Sequence, residues 1–161
     1  MAVVFDCSVT LAWFLKDERT GFTDSAFELI ETHDCWVPLL WRLEFPNALL
    51  VAERRKRVGR EQRLEILDNA AQLYLRTDNT VPDMRALSTL AERRGITVYD
   101  ASYLELAVRM GFDLITLDRS LAAAAAAEGV PAHWPGGSTA AQVRRRYAGR
   151  AFRPATTISS A

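Results

Sequence analysis

Four acidic residues stand where a predicted strand or turn gives way to a helix: Asp6 in VVFDCSV, Glu44 in RLEFPNAL, Asp100 in TVYDASYLEL and Asp118 in LITLDRSL. Asp6 and Asp118 directly follow short apolar runs that are typical of buried parallel strands. Open α/β sheets bind their ligands outside the carboxyl ends of the strands. Carboxylates that converge there repel one another unless a cation lies between them, and hard divalent cations such as Mg²⁺ take oxygen ligands. The four residues therefore predict a metal-dependent phosphoryl-transfer site.

Each of these carboxylates also has a purely structural explanation. Asp118 would serve as the N-cap of the following helix, and Asp100 would complete a capping box with Thr97. Glu44 would complement a helix dipole from the first turn, and Asp6 would accept hydrogen bonds from backbone amides of the next helix. Four independent caps need not point to one place, whereas strand ends and helix starts of one sheet can, so together the residues favour a shared site.

The segments that position these residues alternate between strand-like and helix-like patterns. The apolar runs predict strands at 3–5, 35–37, 80–81, 114–117 and 130–134. Helical spacing of apolar residues predicts helices at 8–16, 22–32, 43–58, 60–75, 84–94, 100–110 and 120–128. This alternation predicts an α/β fold, a three-layer sandwich whose mainly parallel, twisted sheet is flanked by helices on both faces.

Composition narrows the class of protein. The chain has 161 residues, 49% of them hydrophobic, which suits one compact domain. Lys+Arg and Asp+Glu are equal at 20 each, so net charge does not indicate nucleic acid as the ligand. The two cysteines, Cys7 and Cys35, form no CxxC pair, which argues against a disulfide scaffold or a zinc site. No apolar run approaches the roughly 20 residues of a membrane span, so we expect a soluble protein of the reducing cytoplasm with no membrane partner.

The local sequences around the acidic residues go further than their spacing. Asp6 opens DCSV with LAWF close behind it; LExxNAL follows at 43–49, YDAxYLxLA at 99–107 and TLDxxL at 116–121. In this order, over about residues 3–134, the chain resembles the PIN-domain ribonucleases, and among them the VapC toxins of bacterial VapBC toxin–antitoxin pairs. The third motif is the most specific of the four. The resemblance implies a parallel sheet flanked by helices, a Mg²⁺- or Mn²⁺-dependent endoribonuclease, a homodimer and inhibition by a cognate protein antitoxin.

The resemblance also implies roles for individual residues. Asp6, Glu44, Asp100 and Asp118 match the four acidic, catalytic positions of the family. Asp6, Asp100 and Asp118 would be ligands of the metal ion or of its water, and Glu44 would be a ligand or a general base.

Two further side chains would support these carboxylates. Ser8 matches a hydroxyl position of the family and would orient a carboxylate, although it could equally be a helix N-cap. Asn47 lies three residues after Glu44, on the same helix face, and would orient it, unless its packing is merely structural. Pro46 departs from the family pattern: it removes a backbone donor and disfavours a helical Phe45, so we expect it to disturb the start of this helix.

The composition changes at PGGS, after residue 134. We predict a PIN domain of residues 1–134 and a basic C-terminal extension of residues 135–161, which forms a short helix and a flexible tail. If the extension folds beside the acidic site, its arginine cluster would contact RNA phosphates. The residues of this cluster are Arg144, Arg145 and Arg146.

The sequence thus predicts a single-domain, Mg²⁺- or Mn²⁺-dependent endoribonuclease that hydrolyses RNA phosphodiesters, the toxin of a type II toxin–antitoxin pair. Two alternatives stay open. A non-catalytic binding module of the same fold would use the acidic cluster to receive basic side chains of a partner. A nuclease that acts on DNA would use the same metal chemistry.

Overall fold

The computed structural model describes residues 2–148, and these form one five-stranded, wholly parallel sheet. The strand order is β3-β2-β1-β4-β5. The chain therefore builds outward from β1 to β3, then returns to the other side of β1 for β4 and β5. The strands are β1 (Ala2–Phe5), β2 (Asp34–Pro38), β3 (Leu75–Asp78), β4 (Asp113–Ile115) and β5 (Ala132–His133).

Helices connect the strands. Because parallel strands are joined by right-handed crossovers, the change of direction at β1 places helices on both faces of the sheet. The predicted α/β three-layer class is confirmed. The helices are α1 (Cys7–Ala12), α2 (Gly21–Phe27), α3 (Trp41–Arg54), α4 (Arg60–Ala71), α5 (Met84–Arg94), α6 (Val98–Met110), α7 (Arg119–Ala127) and α8 (Ala140–Tyr147), with a 3₁₀ turn at Glu28–Glu31.

The central strands are apolar because both of their faces are covered. Val3, Val4 and Phe5 of β1 are wholly buried, and the Phe5 ring packs edge-on against Trp13 with the ring centroids 5.1 Å apart. Such β-branched and aromatic side chains fit a pleated, buried surface. The core thus holds β1 rigidly, and with it the residue that follows it.

The predicted strand at 80–81 is wrong. The third strand is Leu75–Asp78, while Thr80 and Val81 lie in an irregular segment after it. Helix α4 ends at Ala71, four residues before the predicted end at 75. The prediction was too long because Leu75 continues the helical spacing of the apolar residues in α4. As an edge strand, β3 is only partly buried and carries polar residues, so it lacks the apolar run that marks the central strands.

Helix α3 begins at Trp41, two residues earlier than predicted, so Pro46 is its sixth residue and not part of its start. The helix continues past Pro46 to Arg54, and Phe45 stays helical and buried. The centroid of the Phe45 ring lies 4.9 Å from that of the Trp41 ring. This burial of Phe45 offsets the preference against a helical residue before proline.

The first part of the basic extension packs on the domain. Thr139 and Gln142 form a capping box at the start of α8, and Val143 and Tyr147 are buried against the core. The predicted flexible tail lies outside the described residues, and the division at residue 134 stays a prediction. Within residues 2–148 no helix is both long and apolar enough to cross a bilayer.

Candidate active site

The direction of the strand order reverses between β1 and β4, and in open α/β sheets this crevice is where ligands bind. Asp6 follows β1 directly, and its backbone N–H donates to the carbonyl of Ile115, the last residue of β4, at 3.0 Å. Thr116 and then Asp118 follow β4. The fold thus brings the starts of the first and fourth sequence motifs to the switch point of the sheet.

Asp6 is the most buried of the four predicted carboxylates, with 5% of its surface exposed. Its Oδ2 accepts hydrogen bonds from Ser8 Oγ at 2.5 Å and Thr116 Oγ1 at 2.9 Å. Burial raises the pKa of Asp6 from 3.8 to about 6; the two hydroxyls oppose this rise, and the charges of Glu44 and Asp100 add to it. Ionisation of Asp6 therefore costs free energy unless a cation binds beside it.

The side chain of Asp6 does not cap α1, although Asp6 stands at the N-cap position. Ser8 lies inside this helix, so the N-cap explanation of Ser8 is wrong. Its hydroxyl donates to Asp6 and accepts from the backbone N–H of Leu117 at 3.1 Å, which ties the start of α1 to the segment after β4. The contact is the one that an orienting role requires, while the role itself stays a prediction.

Glu44 faces the crevice from α3 and is half-buried. Its Oε2 accepts a hydrogen bond from the Tyr103 hydroxyl at 2.6 Å. Burial raises the pKa of Glu44, the Tyr103 hydrogen bond works against this rise, and the charge of Asp100 adds to it. Because the pKa of both Asp6 and Glu44 responds to Asp100, these three carboxylates share one electrostatic environment.

Asp100 and Asp118 both serve as helix caps, as their structural explanation predicts. Asp100 Oδ2 accepts from Thr97 Oγ1 at 2.7 Å in a capping box, and Asp118 Oδ1 accepts from the backbone N–H of Ser120 at 2.6 Å and of Leu121 at 3.1 Å. Capping occupies one oxygen of each carboxylate. The other oxygen accepts no hydrogen bond from residues 2–148, so it stays available to a ligand.

The remaining predicted residues lie away from these contacts. Asn47 is exposed on α3, and its side chain makes no hydrogen bond to the described part of the chain. Helix α8 contacts the opposite, amino edge of the sheet, since Arg146 pairs with Asp113, the first residue of β4. Arg144 pairs with Glu28 at 2.9 Å. These contacts hold the described arginines away from the acidic site, so the condition under which the cluster would contact RNA phosphates is not met.

Sequence reasoning missed two buried hydroxyls. Thr116 is wholly buried; its Oγ1 donates to Asp6 and accepts from the backbone N–H of Asp118 at 2.9 Å, so one side chain links two motifs. Tyr103 is wholly buried and donates to Glu44. Their signals were present: a threonine closing an apolar strand before an aspartate, and a tyrosine three residues after Asp100 on the same helix face.

The donor set of the crevice fits a hard divalent cation. Its groups are carboxylates and hydroxyls, and among residues 2–148 no lysine or arginine pairs with any of the four carboxylates. In the same part of the chain no three acidic, histidine or cysteine side chains are close enough to hold one ion between them. Mg²⁺ usually keeps several waters and takes one or two carboxylates from a protein. The residues therefore fit an ion bound through one or two carboxylates and water, and do not form a closed cage.

Comparison with known proteins agrees with this fold. The PIN domain family model matches residues 3–127, and the chain belongs to this family. Ribonuclease VapC3 of Pyrobaculum aerophilum is 28% identical over 124 residues, which cover 76% of this chain and 93% of that protein. The resemblance to VapC-type PIN proteins that the motifs predict is confirmed.

Two solved structures have a similar fold. The crystal structure of PAE2754 from Pyrobaculum aerophilum has a TM-score of 0.63 at 26% identity, covering 82% of this chain and 92% of that one. VapBC2 from Rickettsia felis, bound to a DNA fragment from their promoter, has a TM-score of 0.61 and covers 83% of this chain and 98% of that one. At 14% identity, the second likeness concerns the fold alone.

Proposed function

We propose that this chain is a divalent-metal-dependent endoribonuclease and the toxin of a type II toxin–antitoxin pair. The observation that carries the proposal is the Asp6 carboxylate, buried at the switch point of the sheet beside Glu44 and Asp100 with no cation of the described chain to neutralise it. A buried carboxylate without a cationic partner is costly to ionise, and proteins retain such groups chiefly at functional sites.

The residues of the crevice have distinct tasks in phosphodiester hydrolysis. A bound Mg²⁺ or Mn²⁺ would supply a water of lowered pKa and stabilise charge on the phosphate. Asp6, oriented by Ser8 and Thr116, would be the central ligand, and the free oxygens of Asp100 and Asp118 would contact the ion through its bound waters. Glu44 is suited to take the proton of the attacking water, because burial raises its pKa and so makes the carboxylate a stronger base. The new P–O bond forms as the bond to the leaving oxygen of the RNA backbone breaks.

RNA is the proposed substrate because Ribonuclease VapC3, which matches most of this chain, is a ribonuclease. DNA would meet the same metal chemistry, and the experiment below separates the two. The non-catalytic alternative is less favoured because all four carboxylates and Ser8 are retained, and because Ser8 and Thr116 hold Asp6 in one position.

A protein partner is proposed because apolar side chains that neighbour the acidic residues in sequence are exposed. Leu43, next to Glu44, is 71% exposed, and Tyr99, next to Asp100, is 63% exposed. Leu43 and Val81 also line a groove of about 180 Å³. Exposed apolar patches mark interaction sites, and a cognate antitoxin that covers this one would block the crevice. We also propose that the protein is a homodimer and acts in the cytoplasm.

The test is incubation of purified protein with total cellular RNA and, separately, with single-stranded DNA, in Mg²⁺, Mn²⁺ or EDTA. Asp6→Asn is the inactive variant. Asp68→Asn, at an exposed aspartate on α4 without an ion pair in the described chain, is its matched control. Discrete RNA fragments that need metal, vanish in Asp6→Asn and persist in Asp68→Asn are the expected result. Preferential cleavage of DNA, or equal cleavage by Asp6→Asn, would overturn the proposal.

A further inference from the structure

Trp134 lies at the same edge of the sheet as the acidic crevice. It follows β5 directly, and β5 pairs with β4 so that His133 lies opposite Ile115. The backbone N–H of Thr116 donates to the carbonyl of His133 at 3.1 Å, which places Trp134 beside the threonine that holds Asp6. Neighbouring strands are about 4.8 Å apart, so the backbone of Trp134 lies roughly 10 Å across the sheet from that of Asp6.

The turn after β5 is built around the indole of Trp134. A Cβ atom at Gly136 would lie 2.1 Å from ring carbon Cζ3, and one at Gly137 would lie 2.3 Å from Nε1. The turn is closed by the backbone N–H of Gly137, which donates to the Trp134 carbonyl at 3.0 Å. Only glycine permits this approach of backbone to ring, so the turn fixes the indole beside the crevice.

The fixed indole in turn positions a cation. The Arg119 guanidinium lies over the Trp134 ring, 6.0 Å from its centroid, within the range of a cation–π contact. Arg119 is the first residue of α7 and directly follows Asp118. It is exposed and forms no ion pair with residues 2–148. Its neighbour Asp118 uses Oδ1 to cap the helix, which leaves the guanidinium directed to the indole and solvent.

A polyanion that approaches a cluster of carboxylates needs a cation at the rim of that cluster. Helix α8 does not supply one, because it contacts the opposite edge of the sheet and two of its three arginines are paired. We infer that Arg119, held by Trp134, contacts a backbone phosphate of the RNA beside Asp118. The inference rests on the proposed function and adds a substrate contact to it. A guanidinium plane can bind phosphate oxygens in pairs and can also stack on an unpaired base.

The test measures binding in the Asp6→Asn background, where cleavage does not interfere. A fluorescein-labelled oligouridylate is titrated at several salt concentrations. Arg119→Ala should weaken binding about 10-fold and reduce the slope of log affinity against log salt by about 0.7, the value for one phosphate contact with single-stranded RNA. Arg119→Lys should keep the slope and bind more weakly, because it keeps the charge and loses the planar fork.

Two further variants make the assignment specific. Trp134→Phe keeps an aromatic ring and should weaken binding less than Arg119→Ala. Arg145→Ala, which removes an exposed arginine on α8 at the other edge, should leave affinity and slope unchanged. Parent-like binding by Arg119→Ala in a variant with unchanged thermal melting would overturn the inference. So would an equal loss in Arg145→Ala, or no binding by the Asp6→Asn parent. Cleavage of cellular RNA by the wild-type chain is judged separately, so the proposed function can survive the failure of this contact.

Discussion

Asp6 and Asp113 are two buried aspartates at the ends of neighbouring strands of one sheet, and their environments are opposite. Only 5% of Asp6 and 6% of Asp113 is exposed, so water screens neither. Asp6 follows β1 at the carboxyl edge, and Asp113 begins β4 at the amino edge. Asp113 accepts from Arg146 Nε at 2.5 Å, from the Tyr147 hydroxyl at 2.8 Å and from His133 Nε2 at 3.3 Å. Asp6 receives two neutral hydroxyls and no cation.

The pKa values follow from these partners. Burial acts to raise the pKa of Asp113, but hydrogen bonds from His133, Arg146 and Tyr147 outweigh it and hold this pKa well below its usual range. Burial without such partners raises the pKa of Asp6 to about 6. Burial alone therefore does not define the role of a carboxylate. An aspartate with its cation on the same chain stabilises the fold, whereas one without a cation is suited to bind a cation from outside.

The largest effect is expected from a substitution of Asp6 at the carboxyl edge of the sheet. Asp6→Asn should lower metal-dependent cleavage at least about 100-fold, because it removes the central ligand of the proposed ion. In EDTA at neutral pH the same variant should be more stable than wild type by up to about 3 kcal/mol, since a shift from 3.8 to about 6 costs about 1.4 kcal/mol per pKa unit. Urea unfolding and RNA cleavage, measured on the same preparations, check both expectations. A variant that loses stability and activity together would show that Asp6 is structural.

At the amino edge we expect a loss of stability without a loss of cleavage. Asp113→Asn should lower the free energy of unfolding by about 2 kcal/mol, because the buried Asp113 loses its charge-assisted hydrogen bonds to the half-exposed Arg146 and to Tyr147. At a temperature where the variant is folded, its cleavage of RNA should equal that of wild type. Urea unfolding followed by circular dichroism gives the stability, and a cleavage assay on the folded protein gives the activity. A selective loss of cleavage would contradict the division of roles between the two edges.

The pH dependence of stability should differ in sign between the two aspartates. The folded chain holds the Asp6 proton more tightly than the unfolded chain, so this residue makes the protein less stable as pH rises from about 4 to about 6. Asp113 contributes stability that is present above its unfolded pKa and is lost as the pH falls towards its lower folded pKa. Unfolding free energies in EDTA at several pH values, for wild type and Asp6→Asn, isolate the first contribution. Parallel profiles for the two proteins would show that Asp6 does not have the raised pKa.

The smallest effect is expected from removing the hydroxyls of two buried tyrosines. Tyr103 donates to Glu44 in the crevice, and Tyr147 donates to Asp113 at the amino edge. Tyr103→Phe removes the hydroxyl that orients Glu44 and should lower cleavage about 10-fold, with a stability loss of about 1 kcal/mol. Because that hydrogen bond lowers the pKa of Glu44, the acidic limb of the pH–rate profile should move to higher pH. Tyr147→Phe, which removes the matching hydroxyl beside Asp113, is the control and should affect stability alone. Equal effects on cleavage from both substitutions would contradict the view that the crevice is catalytic and the amino edge is structural.

Local patterns were sufficient for much of this protein. The apolar runs before Asp6 and Asp118 predicted β1 and β4, since strands buried on both faces have a continuous apolar signal. The capping residue Thr97 predicted the start of α6 near Asp100, because a cap is a contact between residues three apart. From these elements the α/β class and the edge of the sheet that carries the acidic residues could be predicted.

Tertiary structure decided what those residues contact. Thr116 donates to Asp6 across 110 positions of the chain, and Tyr103 donates to Glu44 across 59. Such pairs depend on the order of the strands and on the packing of α3 and α6, which hydrophobic periodicity does not encode. The same reason explains the partner of Arg146: its charge was visible in the sequence, but only the packing of α8 against the amino edge determined that it neutralises Asp113 and is directed away from the crevice.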